Sequence, residues 1–173
     1  MADLKGYEKL NEEIGKLLAD YGVTSVSINC ATDGFEYHPL DNSICISIIN
    51  PYACLGYMWF VEFCEKRFNY KTDNVFMLLL FHEIGHIHTY NETLNNYFEP
   101  KRKKLYERMA IEYDTDSQSK GVFFEYFESV EEIIATTWAI DYLTKNEEEV
   151  KNLFYEICSL LNDFYELNGI TEE

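Results

Sequence analysis

Apolar positions along this chain change spacing several times, and each change marks an element. Tyr7, Leu10, Ile14, Leu17, Leu18 and Tyr21 recur at helical spacing, and Gly22 follows as a stop. Residues 23–30 then alternate, with Val26, Ile28 and Cys30 on one face, which predicts a strand. Asp33-Gly34 signals a turn, residues 35–38 a second strand ended by Pro39, and Leu40-Asp41-Asn42 another turn. Residues 43–50 read as a third strand stopped at Asn50-Pro51. Three short strands joined by tight turns predict an antiparallel meander. If strand 43–50 lies at the sheet edge, its unpaired backbone can accept an extended peptide.

The second half of the chain reads as helices. Residues 53–68 are apolar-rich, and their aromatic stripe fits a core. Thr72-Asp73 can cap a helix running to about Tyr90. Pro100 predicts the start of a helix over 101–113, and residues 114–121 read as a polar loop able to cover a cleft. Helices over 128–143 and 147–167 complete the pattern, with Gly169 after the last. The expected fold class is α+β. A small antiparallel three-stranded sheet packs on a buried helix, with further helices around it, in a single domain over 1–173.

That buried helix holds the candidate chemistry. The run Val75–Phe81 is apolar on every side, and it leads into His82-Glu83-Ile84-Gly85-His86. Histidines four apart on a helix lie about 40° apart around the axis and one turn apart along it. Both rings can therefore reach one metal ion. Two histidines and a glutamate inside an apolar helix are costly without such a partner. Glu83 stands beside them, placed to take a proton from a water that the metal activates. Gly85 lets another element approach the helix closely.

A catalytic zinc takes three protein ligands and leaves a fourth position for water. On a helix over 128–143, Glu132, Ala135, Ala139 and Leu143 share one face, and the alanines allow close approach to Gly85. Glu132 is the expected third ligand. Glu128, one turn earlier, is the alternative, as ligand or as a partner to a histidine. Glu131 is less well directed. His88, two residues past His86, points elsewhere, and His38 beside Pro39 reads as a surface residue. His88, Tyr90 and Tyr113 are the candidates for steadying an oxyanion.

Composition narrows the remaining possibilities. The chain is 47% hydrophobic and 16% aromatic over 173 residues, enough to build a core. Its formal net charge of −17 repels phosphate backbones and anionic membranes, which argues against nucleic-acid partners. Lys101-Arg102-Lys103-Lys104 is the one basic run and reads as a solvated helix face. No apolar run reaches the roughly 18 residues of a membrane span. Cysteines 30, 45, 54, 64 and 158 are odd in number and lack C-x-x-C spacing, so they read as reduced packing residues of a cytoplasmic protein.

The segment His82-Glu83-x-x-His86, with the downstream Glu132-x-x-Ala135-x-x-Trp138-Ala139-x-x-x-Leu143, resembles the zincin metallopeptidases of the ImmA/IrrE type. In that family the first segment reads HELGH and the second roughly ExEAxxFAxxLL. The resemblance spans about residues 23–143. Ile134 replaces the second acidic position, and the stretch between the motifs looks like an insertion. The resemblance implies a zincin-like fold, a Zn2+ cofactor and a small intracellular protease, often encoded by mobile elements, that cleaves a repressor or similar regulator. Two other classes compete: a non-catalytic interaction protein with a structural metal site, and an acidic DNA mimic that inhibits a nucleic-acid-binding protein.

Overall fold

The apolar run that begins at Val75 needs cover on all sides, and the rest of the chain supplies it. The computed structural model describes residues 4–29, 35–48, 54–112 and 116–170. Among them the chain forms α1 (Tyr7–Leu18), a 3-10 turn (Ala19–Tyr21), β1 (Ser25–Asn29), β2 (Glu36–His38) and β3 (Ser43–Ser47). These are followed by α2 (Leu55–Phe68), α3 (Val75–Thr89), α4 (Glu92–Glu112), α5 (Asp116–Phe127), α6 (Val130–Lys145) and α7 (Glu147–Asn168). The architecture is mixed α+β and mostly helical. In α3, Val75, every residue from Met77 to His82, Ile84 and Gly85 are buried. One core joins α3 to Ile14 and Leu18 of α1, Ile44 and Ile46 of β3, Ala139 and Leu143 of α6, and Ile157 of α7.

The sheet corrects the expected meander. Strand order is β1-β3-β2, with β1 parallel and β2 antiparallel to β3. β3 is therefore central rather than at the edge, which removes it as a peptide-binding edge. Burial explains the order: Ile44, Ile46 and Ser47 of β3 are all buried, whereas Glu36 and His38 of β2 are exposed. The most apolar strand takes the middle. Val26 pairs with Ile44, Ile28 with Ile46, and Tyr37 with Ile44, so these side chains share one face. The outer edge of β1 is covered by α1, where Asn11 Oδ1 accepts from the Ile28 amide at 3.1 Å and the Tyr7 hydroxyl donates to the Ile28 carbonyl. β2 is left as the less protected edge. Asn42, at φ 53°, closes the turn from β2 to β3.

Three boundaries also differ from expectation. Asn74, not Thr72-Asp73, caps α3: its Oδ1 accepts from the Met77 amide at 3.1 Å, while Thr72 Oγ1 accepts from the Asn74 amide at 3.0 Å. α4 begins at Glu92 and carries Pro100 within it rather than at its start. The proline gives up one backbone hydrogen bond there. Within the expected polar loop, residues 116–121 are helical and belong to α5. The reason is tertiary: Val122 is buried, Phe123, Phe124 and Phe127 pack on the core beside Phe60 and Phe63 of α2, and Lys120 pairs with Glu62 of α2. The turn at Asp33-Gly34, Cys30, the stop at Asn50-Pro51 and Tyr113 lie outside the described residues. No described helix is long and apolar enough to cross a membrane, and Cys45, Cys64 and Cys158 are free thiols.

Helices α3 and α6 approach each other closely at Gly85. A Cβ built on Gly85 would lie 2.5 Å from the Ala135 carbonyl oxygen and 3.1 Å from its carbonyl carbon. Those are backbone atoms, which cannot swing aside. Gly85→Ala is therefore expected to destabilise the protein by at least about 1–3 kcal/mol, the usual range for overpacking, in urea unfolding of chelator-treated protein. Wild-type stability in that variant would contradict the close approach.

Candidate metal centre

The α3–α6 contact brings three expected ligands together. His82 and His86 stand one turn apart on α3, and Glu132 comes from the first turn of α6. Glu132 Oε2 lies 3.0 Å from His82 Nε2 and 3.4 Å from His86 Nε2. Ligand atoms of a tetrahedral ion with bonds of roughly 2.0–2.1 Å sit about 3.3 Å apart. The two distances to Glu132 are close to that, all three ligand atoms lie within 4.8 Å of one another, and the three form the group among the described residues that could hold a metal ion. Glu132 is 2% exposed and His82 4%, so solvent does little to neutralise the carboxylate.

Glu128 is not brought to this site. It sits in the turn before α6 rather than on the helix, and its half-exposed carboxylate faces Arg67 at 3.5 Å. The expected shared face with Glu132 fails because the helix begins at Val130. His88 is exposed and stacks on Trp138, with centroids 4.4 Å apart and planes 13° apart. Exposed His38 lies on β2, and Tyr90 follows the end of α3.

The site's walls were not anticipated. Phe60 of α2 packs on His82 with centroids 4.8 Å apart, and Phe127 of α5 lies at 6.0 Å. Tyr37 of β2 lies parallel to His86, with planes 5° apart and centroids at 6.0 Å, and its hydroxyl donates to Asn42 Oδ1 at 2.9 Å. Thr136 Oγ1 is 3.1 Å from His82 Nδ1, and both residues are buried. Thr136 was findable, since it falls four residues after Glu132 and so on the same helix face. Tyr37, Phe60 and Phe127 reach the site only through tertiary packing, and no local signal marks them.

The two glutamates titrate in opposite directions. Burial pushes the Glu83 carboxyl above its usual range; His82, His86 and the Tyr37 backbone amide work against that, and the Glu132 charge adds to it. Burial would raise Glu132 as well, but the facing His86 and His82 outweigh it and hold Glu132 well below the usual range. The arrangement thus keeps one carboxylate charged among the imidazoles and a second, more basic one beside them. Groups set apart in this way can act as ligand and proton acceptor at a single site.

No protein-family model, curated protein or solved structure matches the chain.

The opposite shifts have opposite signs in stability. Glu132, lowered in the folded state, contributes stability above the unfolded carboxyl pKa of about 4.3 that is lost as pH falls through its folded value. Glu83, raised in the folded state, costs stability that builds up as pH rises from the unfolded carboxyl value to its folded one. In chelator-treated protein at pH 7, Glu132→Gln is expected to unfold more easily than wild type and Glu83→Gln less easily, with both differences shrinking on acidification. Unfolding curves between pH 3 and 7 check this, and shifts of the same sign in both variants would contradict it.

Proposed function

We propose that this protein is a zinc-dependent metalloendopeptidase. The observation that carries the reading is the convergence of Glu132 Oε2 on both histidine Nε2 atoms, with Glu83 adjacent. Two imidazoles and one carboxylate form a donor set suited to zinc, with one coordination position left open. A zinc ion bound there would supply a water of pKa near 7 and polarise the scissile carbonyl. Glu83 is the general base: it takes the attacking water's proton and delivers it to the leaving amine. On this reading the fold is a zincin-like variant, in keeping with the resemblance of the two motifs to ImmA/IrrE metallopeptidases.

The substrate on this reading is an extended segment of an intracellular protein such as a repressor. What supports a peptide is β2, an edge strand whose Tyr37 stacks on His86 and whose backbone reaches Glu83. Peptides add to such edges through main-chain hydrogen bonds. The net charge of −17 disfavours a nucleic-acid substrate.

The structural-metal alternative needs no Glu83. Zinc-loaded protein incubated with a proteome-derived peptide library, read by mass spectrometry, is expected to generate new termini. Glu83→Gln should retain about one zinc per chain and lose roughly 10²–10⁴-fold in cleavage rate. Cleavage that survives in Glu83→Gln, or in protein stripped of metal, would overturn the assignment.

A further inference from the structure

We propose that Thr136 is a positioning residue that fixes which nitrogen of His82 faces the metal. The inference rests on reading His82, His86 and Glu132 as a metal centre. A neutral imidazole carries one proton, and only the nitrogen without it can bind a metal. Nε2 of His82 points at Glu132 Oε2, 3.0 Å away, and Nδ1 points at Thr136 Oγ1, 3.1 Å away. With Nδ1–H donating to the threonine hydroxyl, the Nε2 lone pair is directed to the point where Glu132 and His86 converge.

Among the described residues, Thr136 Oγ1 is the polar group that meets His82 Nδ1. Thr136 is fully buried, and the rings packed on His82 from α2 and α5, Phe60 and Phe127, offer no comparable acceptor. A hydroxyl also suits the local charge. Glu132 and Glu83 already share this enclosed site, and a third carboxylate on His82 would add like-charge repulsion. A hydroxyl both accepts and donates. Before a metal binds, with the His82 proton on Nε2 facing Glu132, Thr136 can donate to Nδ1 instead, so the ring keeps the same orientation in both states. One turn of α6, from Glu132 to Thr136, therefore sets both the third ligand and the orientation of the first.

The test is zinc binding by competition with a chromogenic chelator, together with ¹⁵N NMR of the histidine rings. Thr136→Val keeps the shape and removes the hydroxyl. It is expected to bind zinc about 10–100-fold more weakly than wild type, a loss beyond any change in unfolding stability measured in chelator, and Thr136→Ser is expected to restore most of the affinity. In zinc-loaded wild type, His82 is expected to carry its proton on Nδ1. Wild-type affinity in Thr136→Val overturns the proposal while leaving the metal centre standing. So does a zinc-bound His82 with no proton on Nδ1, a result readable even if the valine variant does not fold. A wild-type protein that takes up no zinc overturns both.

Discussion

The contact between the backbones of α3 and α6 is the constraint on which the site depends. Glycine at 85 removes the side chain that would otherwise hold the helices apart, and the Ala135 carbonyl fills the space. Only at that separation can a carboxylate from the first turn of α6 reach two imidazoles on α3. The same contact places Ala139 and Leu143 in the core behind the site. Packing and ligand geometry are therefore one feature here, and a change that opens the helix pair disturbs both.

Burying charge next to that contact has a cost, and the arrangement of groups offsets it unequally. Glu132 has two imidazoles within 3.4 Å and stays ionised. It also lies in the first turn of its helix, where the dipole favours negative charge. Glu83 shares the same neighbours but has less direct partners, so burial dominates and its proton is held more tightly. Two carboxylates of one chemical type are thus separated in basicity by position alone. Aromatic rings from α2, α5 and β2 enclose the histidines, lower the local dielectric and sharpen that separation. The centre is assembled from five elements, although its ligands come from two.

Much of this was legible in the chain, to the extent that the signal is local. The i, i+4 pair of His82 and His86, the permissive Gly85 and the facing alanines all follow from helical periodicity, and so do α1, α3 and α7. Glu132 could be placed over its neighbours because the small residues on its face mark the contact side. The sheet order was not legible, because which strands become neighbours depends on long-range burial. Nothing local to Ser43–Ser47 says that it parts β1 from β2. Helix α5 was hidden for a related reason: Asp116–Lys120 is polar and turn-like, and its helical state is supported by the packing of Phe123, Phe124 and Phe127 further on. The Glu128 alternative assumed a helix that starts two residues too early, a small boundary error that reverses a side chain's direction.

The most direct test of the central claim is zinc K-edge X-ray absorption on protein loaded with one equivalent of the metal. The account predicts a first shell of nitrogen and oxygen alone at roughly 2.0–2.1 Å, with outer-shell scattering from two imidazoles. A sulfur scatterer at about 2.3 Å, or scattering from fewer than two imidazoles, would contradict it.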